Sequence, residues 1–413
     1  MAGLLLRRNR NYRLIFSASV ISNLGDGVSA LAFPWLATLL TRDALLIALV
    51  AVAARLPWFL FTLPAGVWTD RADRRVLMVR ADLMRMMLTL GVMWLALSAP
   101  TAPVAQAVPG GIFLLAALAF LLGTAEVLRD NAAQTVLPSV VDQADLERAN
   151  GQMWSAETVM GQFIGPPLAG ALIALGIAVP FGFDAASFAA AAGIVWLVTL
   201  PPRQGTAGGA FLPELAEGIR WMRAHPLLLR LAVVLGLVNA TYMATLTMLV
   251  LYGQEVLGLT AFGYGVLLTV GAAGAVIGGL SAPAIAARIG TRASLLAGLA
   301  SFALSYLLMA ATSSVFVTGA ALFIEAAGGM LWNVVTVSYR QRIIPDAILG
   351  RVNSIYRFFG WGMMPVGALA GGLIVTLAEP SIGRLEALHL PWWFAGAGGV
   401  ALLAYGAMRL RLE

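Results

Sequence analysis

Three ionisable residues lie near the middle of apolar runs that are each long enough to cross a membrane: Asp26, Arg55 and Glu325. A charge at the centre of a membrane helix costs about 2.5–3.5 kcal/mol on insertion scales, so each side chain should face a cavity or a partner. A carboxylate in such a place can bind and release a proton or hold a cation. The positions of Asp26 and Glu325 therefore indicate proton or cation handling within a membrane.

The basic residues near these two carboxylates differ. Arg55 lies at a similar depth to Asp26 on the adjacent run, so Asp26 is either locked in a fixed ion pair or a protonatable carboxylate with Arg55 as its charge partner. Glu325 has no basic residue within a turn, because Arg340 lies about four helical turns away. We expect Glu325 to be the principal proton-coupling residue and Asp26 the secondary one.

A second group of charges lies in the inner third of the fourth and fifth apolar runs: Glu126, Arg129, Asp130 and Glu157. Glu126 and Asp130 are four residues apart and therefore share one helix face. We expect Glu126 and Glu157 to be further proton-coupling residues. Asp82 and Arg85 lie one turn into the third run, and we assign them to the latch region or to the membrane interface.

The composition places the chain in a membrane. Of 413 residues, 60% are hydrophobic and 11% are charged, and the mean hydropathy is +0.87. A soluble domain carries about 25% charged residues. The chain has no lysine, which excludes a Walker A lysine and with it an ATP-driven pump. It has no cysteine and only two histidines, so we expect no metal, no cofactor and no enzyme activity.

Twelve apolar runs reach the roughly 20 residues that a membrane helix needs. We predict spans at roughly 12–41, 44–67, 76–99, 108–130, 152–177, 179–200, 228–254, 261–288, 291–312, 315–340, 352–378 and 390–410. The connection 201–227 becomes amphipathic and is predicted to lie on the membrane surface. It separates the segments 1–200 and 228–413, in which ADLERANG recurs as AILGRVNS. We predict an all-α membrane protein with twelve transmembrane helices in two pseudo-symmetric six-helix halves, an architecture of secondary transporters.

The arginines orient the predicted spans. Nearly all arginines outside the spans fall on one side, whereas the loops of the other side hold Arg42 and Arg384. The positive-inside rule makes the arginine-rich side cytoplasmic, with both termini inside. The same placement favours membrane topology over nucleic-acid binding as the reason for the net charge of +6. We expect a monomer in the lipid bilayer of a bacterial inner membrane.

The turn GVWTDRADRR, residues 66–75, concentrates charges between two apolar runs. It resembles a loop of the major facilitator superfamily, roughly G-x-L-A-D-R-x-G-R-[RK], at Gly66, Asp70, Arg71, Arg74 and Arg75. It departs from that pattern at Trp68, Thr69 and Asp73. The resemblance implies a conformational latch, in which Asp70 faces the N-terminus of the eleventh helix and Arg74 bridges towards Asp130. The alternative is a hydrophilic turn that only enforces topology.

The stretch GQFIGPPLAG resembles the antiporter motif of the same superfamily, G-x-x-x-G-P-x-x-G-G, at Gly161, Gly165, Pro166 and Gly170. The glycines would let a neighbouring helix approach closely, and Pro166 would bend its own helix. Ordinary packing of small residues is the alternative. NLGDGVSALAFPW in the first run and ADLERANG resemble the third drug:proton antiporter branch, which includes macrolide- and tetracycline-type efflux pumps and enterobactin exporters.

These resemblances imply a proton-coupled exporter of small amphipathic compounds, with multidrug or antibiotic efflux by alternating access as the leading hypothesis. Export of a siderophore-like metabolite and translocation of a lipid or lysolipid on the same fold are the alternatives. The expected partners are the substrate, protons and the lipid bilayer. We expect Trp332 and Met330 to line the substrate cavity.

Overall fold

The computed structural model describes residues 3–100, 109–200 and 219–410. Within these ranges every regular element is a helix. In the described part of the chain, ten helices are long and apolar enough to cross a membrane. The protein is therefore an all-helical, multi-pass membrane protein.

The chain forms two compact units. The first unit comprises Met1–Arg42, Leu49–Thr206 and Thr260–Thr269, and the second comprises Asp43–Ala48, Ala207–Leu259 and Val270–Glu413. Most of the predicted amphipathic connection lies outside the described residues, although residues 219–224 are helical. The boundaries 1–200, 201–227 and 228–413 therefore remain predictions.

Eight α-helices begin in the first part of the chain: α1 (Gly3–Arg8), α2 (Arg10–Leu40), α3 (Ala44–Arg71), α4 (Arg74–Leu97), α5 (Pro109–Val140), α6 (Leu146–Glu157), α7 (Gly165–Leu175) and α8 (Val179–Trp196). A 3₁₀ turn, Gln143–Asp145, precedes α6, and a π-helix, Thr158–Ile164, joins α6 to α7. In the first unit α8 packs against α2 and α4, and α4 packs against α5.

Side-chain caps fix where two of these helices begin. The Asn9 side chain accepts the backbone N–H of Tyr12 at 2.9 Å, which starts α2. The Asp73 carboxylate accepts the backbone N–H of Val76 at 3.2 Å, which starts α4. Both caps satisfy donors that have no partner within the helix.

Five further helices follow: α9 (Pro226–Leu251), α10 (Ala261–Ala310), α11 (Val315–Ile343), α12 (Asp346–Ile382) and α13 (Arg384–Arg409). A π-helix, Tyr252–Val256, follows α9. Gly290 has φ +80° and ψ 166°, so α10 consists of two helical segments that meet there. Glycine adopts this backbone conformation without a Cβ penalty. In the second unit α9 packs against α12 and α13.

The helix α5 is longer than the sequence predicts. We expected its span to end at Asp130, because charges usually mark the end of a membrane helix. The helix continues to Val140, and within it Nη1 of the buried Arg129 lies 3.4 Å from Oδ1 of the half-buried Asp130. The helix therefore extends beyond the predicted span, whose end at 130 remains a prediction.

Candidate functional site

Acidic and basic side chains from three helices meet inside the first unit. Helix α2 supplies Asp26, α4 supplies Asp82 and Arg85, and α5 supplies Arg129 and Asp130; we call these five residues the charge cluster. Asp82 and Arg85 are three residues apart and lie on one face of α4. The exposed fraction is 4% for the Arg85 side chain and 0% for that of Asp82. The centre of the charge cluster is therefore buried.

Acids and arginines alternate through the charge cluster. Arg85 pairs with Asp26, and its Nη1 lies 3.8 Å from Oδ1 of Asp82. Nε of Arg129 lies 3.6 Å from the same Asp82 oxygen, and its Nη1 lies 3.4 Å from Oδ1 of Asp130. Each arginine thus bridges two carboxylates. Because charges interact strongly in a medium of low dielectric constant, proton uptake by one acid would alter the pairing of the next.

The charge cluster depends more on charge than on hydrogen bonds. In the described part of the chain, neither oxygen of Asp82 has a hydrogen-bond partner, and Nε of Arg85 also lacks one. A buried polar group without a partner costs about 1–3 kcal/mol. Natural proteins keep few such groups, and each needs an explanation. An ion pair that has to break and re-form during function would explain these unpartnered atoms.

Two contacts outside the charge cluster position Arg85. Its Nη1 donates to the Ser22 hydroxyl at 3.5 Å. Its guanidinium carbon lies 4.0 Å from the centroid of the Phe188 ring in α8. A cation above an aromatic face is attracted by the ring's quadrupole. Helices α2 and α8 therefore both contribute to the position of this arginine.

Arg85, and not the expected Arg55, is the partner of Asp26. The Arg55 side chain is exposed, and it acts electrostatically on Glu126. The expectation rested on equal depth in adjacent spans. Depth does not give the rotation of a helix about its axis, and this rotation decides which side chains meet.

The two further proton-coupling candidates of the first unit differ in their surroundings. Glu126 faces Arg85 and Arg55 electrostatically, and no ion pair within 4 Å involves it among the described residues. Glu157 is the last residue of α6 and is exposed. Glu126 therefore adjoins the charge cluster, whereas Glu157 lies outside it. Their roles remain predictions.

Glu325 lies in the second unit, on α11, and is 6% exposed. The Tyr306 hydroxyl of α10 approaches its carboxyl. Neither that hydroxyl nor Oε1 of Glu325 makes a well-formed hydrogen bond in the described part of the chain. No ion pair to Glu325 occurs among the described residues. Among the described residues, Glu325 is thus a buried carboxyl without an ion-pair partner, and its role in proton coupling remains a prediction.

The residues of the charged turn fall into two sets. The helix α3 includes Gly66, Asp70 and Arg71, whose side-chain surroundings lie outside the described residues. Arg74 donates to Ser139 at 3.4 Å, and Arg75 donates to the Val198 carbonyl at 3.3 Å. The role of Asp70 as the carboxylate of the latch therefore remains a prediction.

Among the ion pairs of the described residues, Asp130 is not paired with Arg74, the contact expected for the latch. Asp130 pairs with Arg129 of its own helix. Arg74 meets α5 at Ser139, nine residues further along, which corresponds to about 13 Å of helix. Asp130 therefore lies in the interior of α5, and Ser139 lies near its C-terminal end.

The proposed antiporter motif spans the change from π-helix to α-helix. The backbone N–H of Gly165 donates to the carbonyl of Met160, five residues earlier. Pro166 follows and has no N–H to continue the regular pattern. A Cβ on Gly165 would lie 2.6 Å from the carbonyl carbon of Gly27 in α2. Glycine is therefore required for this approach of α7 to α2.

The remaining glycines of the motif also lie against backbone. A Cβ on Gly170 would lie 2.6 Å from the Ala261 carbonyl oxygen. The backbone of Gly161 occupies the place where Gly27 would carry a Cβ. These contacts agree with the packing expected from the motif. Whether the motif sets the direction of transport remains a prediction.

Trp332 and Met330 lie on α11 next to α10. Trp332 is 2% exposed, and its Cβ would lie 3.3 Å from a Cβ on Gly298. Met330 is partly buried, with its methyl 3.3 Å from the Cβ position of Gly279. Trp332 thus packs between helices within the second unit. Its role in lining a substrate cavity remains a prediction.

Sequence reasoning missed one buried acid. Asp184 lies on α8, is 2% exposed, and accepts a hydrogen bond from Ser29 of α2. Between Val179 and Trp196 it is the one charged residue. A single acid in an apolar run was the signal that identified Asp26, and it applies equally here.

Known proteins resemble this chain along nearly its whole length. The family model described as transmembrane secretion effector matches residues 4–389. The multidrug efflux pump Tap of Mycolicibacterium fortuitum is 26% identical over 404 residues, covering 94% of this chain and 95% of that protein. Tap of Mycobacterium bovis is 33% identical over 163 residues, covering 39% of this chain and 37% of that protein.

Solved structures share the fold at low identity. A bacterial homologue of the iron transporter ferroportin in an inward-facing state has a TM-score of 0.73 at 16% identity, covering 96% of this chain and 99% of that chain. A mutant of the nucleoside transporter NupG has a TM-score of 0.77 at 12% identity, covering 96% of this chain and 100% of that chain. The likeness concerns the fold alone. The family match across residues 4–389 shows that the protein belongs to the transmembrane secretion effectors of the major facilitator superfamily.

Proposed function

We propose that this protein is a proton-coupled exporter of small amphipathic compounds, acting by alternating access. The observation that carries the proposal is the charge cluster, which bridges three carboxylates with two arginines inside a membrane-spanning unit. Ionised groups in a membrane are expensive and mark ion or proton pathways. The similarity to a multidrug efflux pump over 94% of the chain supports export of drug-like compounds.

Coupling requires an acid whose charge changes during the cycle. Glu325 meets this need in the second unit, because it is buried and has no ion pair among the described residues. Asp26 meets it in the first unit, because its proton uptake would free Arg85. We propose Glu325 as the principal coupling residue and Asp26 as the secondary one. A ligand or proton shifts the conformational equilibrium by its difference in affinity between the two states.

The proposal includes twelve spans in two six-helix halves. Ten helices qualify by length and composition. Helix α4 has 24 residues, which is long enough to cross a membrane. Its charged residues make it less apolar than the ten other helices. The break at Gly290 divides the 50 residues of α10 into two helices. An even number of spans places both termini on one side, and the arginine distribution makes that side the cytoplasm.

The partners we propose are an amphipathic substrate, protons and the bilayer, with the chain acting as a monomer of the inner membrane. No nucleic acid, cofactor or enzymatic step is part of the proposal. The family is one of transporters. Siderophore-like metabolites and lysolipids remain alternative substrates, which a transport panel can distinguish.

The test is accumulation of a fluorescent amphipathic cation in cells that express the protein. Because export would be driven by the proton gradient, expressing cells should accumulate less dye than cells with empty vector. An uncoupler should erase the difference. Gradient-driven uptake would show that the direction is reversed. Dye accumulation equal to the vector control, with export of a siderophore or lysolipid in vesicles, would favour those substrates.

A further inference from the structure

Asp184 occupies a polar notch between α8 and α2. Its Oδ2 accepts the hydroxyl of Ser29. Its Oδ1, together with the Ser187 hydroxyl, fills the space where Gly25 would carry a Cβ. The residue is 2% exposed. The absence of a side chain at Gly25 therefore makes room for a carboxyl group inside the first unit.

The hydrogen bonds in this notch are too few for a carboxylate anion. The Ser187 hydroxyl donates to the Asp184 backbone carbonyl at 2.8 Å, and lies 3.4 Å from Oδ1. The Ser187 hydroxyl proton is therefore donated mainly to the backbone carbonyl and not to the carboxyl group. Among the described residues only Ser29 remains as a close donor, whereas an ionised carboxylate has about four acceptor sites. An ionised group buried with so few donors is costly.

The charges that face Asp184 do not compensate this cost. From α4, Arg85 acts on it, and from α2, Asp26 does; α7, which also packs against α8, has no titratable side chain. Among the described residues no arginine forms an ion pair with Asp184. Arg85 lies over the ring of Phe188, one helical turn away, and is committed to Asp26.

The numbers of acidic and basic side chains around Asp184 also favour a bound proton. Arg85 acts electrostatically on four buried or half-buried acids, namely Asp26, Asp82, Glu126 and Asp184. Arg129 adds one positive charge and Asp130 one negative charge. These five carboxyl groups face Arg85, Arg129 and, at Glu126, the exposed Arg55, so full ionisation would leave this group of side chains with a net charge of −2. A proton on one or more of them removes part of this excess.

We propose that Asp184 is a proton-binding residue that holds a proton in this arrangement and releases it when Arg85 leaves Asp26. In the protonated state, the carboxylic acid of Asp184 and the hydroxyl of Ser29 form one hydrogen bond. When Asp26 takes up a proton, it no longer pairs with Arg85. The Arg85 guanidinium lies over the ring of Phe188, one turn of α8 from Asp184. Asp184 then loses its proton to water, and the Arg85 guanidinium neutralises the resulting carboxylate. Its part in transport rests on the proposed function, but the bound proton does not.

Infrared difference spectroscopy of the purified full chain in lipid tests the bound proton directly. A protonated carboxyl group has a carbonyl stretching band that an ionised carboxylate lacks. We expect Asp184→Asn to remove one such band present in the parent at neutral pH. Ser29→Ala should shift the same band to higher frequency, because it removes the hydrogen-bond partner. Asp142→Asn, a change at an exposed carboxylate, should leave the band unchanged.

An Asp184→Asn spectrum identical to that of the parent would overturn the proposal. If Asp184→Asn does not fold, Ser29→Ala decides the question, and an unshifted band counts against the proposal. Efflux by the parent gives an independent reading. A band that depends on Asp184 without gradient-driven efflux would refute the proposed function and leave the proton-binding residue intact.

Discussion

Arg85 is the residue on which the charge cluster depends. It pairs with Asp26, lies 3.8 Å from Asp82, and rests on the Phe188 ring. Replacing one partner of a buried pair leaves the other charge uncompensated, which is the costly case. The exposed Arg55 has no such role in the structure. The two arginines therefore form a matched pair for a test.

We predict that Arg85→Gln lowers the free energy of unfolding by about 3–5 kcal/mol, because it leaves buried carboxylates without their cation. Arg55→Gln should change it little, since its side chain is exposed. Unfolding of the two purified variants by a denaturant in the same detergent provides the comparison. Equal destabilisation by the two changes would show that the pairing of Asp26 differs from the one described.

The buried Glu325 leads to a prediction about coupling. Glu325→Gln keeps the size of the side chain and removes its ability to gain and lose a proton. We expect it to abolish gradient-driven export while substrate exchange in vesicles remains measurable. Glu386→Gln, at an exposed residue of α13, is the control. Export by Glu325→Gln as strong as by the parent would exclude Glu325 and direct attention to Asp26, Glu126 and Glu157.

The sequence was sufficient to find isolated acids but not their partners. Asp26 and Glu325 stand out because a charge in an apolar run is rare. Their partners depend on how helices rotate and pack, which spacing along one chain does not specify. Asp184 is also a single acid in an apolar run, and it was missed. Its contacts with Ser29 and Ser187 can be identified only from the structure.

At the scale of elements, the lengths of most helices follow from apolar length, and the exceptions have local causes. Helix α5 runs ten residues past the predicted end of its span, and it includes the adjacent pair Arg129 and Asp130. The fifth run contains a π-helix before α7, which the proline explains but hydropathy does not detect. A single wide turn of this kind often occurs at functional sites.

The close approach of α7 to α2 gives a prediction at this scale. Gly165→Ala would place a methyl group 2.6 Å from the Gly27 carbonyl carbon, so the helices must separate. Overpacking of this kind costs about 1–3 kcal/mol, and we expect lower thermal stability and slower transport. Gly193→Ala on α8 is the control, because its Cβ would meet no atom within 4 Å. Alanine there should stabilise the helix by up to about 1 kcal/mol. Equal effects of the two changes would contradict the packing.

At the scale of the whole molecule, each unit has its own buried acid chemistry. The first unit contains the charge cluster and Asp184, and the second contains Glu325 with Tyr306. Alternating access requires these chemistries to be linked through a conformational equilibrium. The charged turn between α3 and α4 is where the resemblance to the superfamily places the element that controls this equilibrium. Its sequence alone supports that role.

The last prediction concerns this turn, which contains two acids with different expected roles. Asp73 caps α4 through the backbone N–H of Val76, and asparagine is an equally good cap. Asp73→Asn should therefore leave both folding and transport unchanged. Asp70→Asn should leave the protein inserted and folded but slow transport severely, because the latch needs an anion near a helix N-terminus. Transport rates are compared at matched expression in vesicles. If the turn only enforces topology, both variants will transport as fast as the parent, and the latch is excluded.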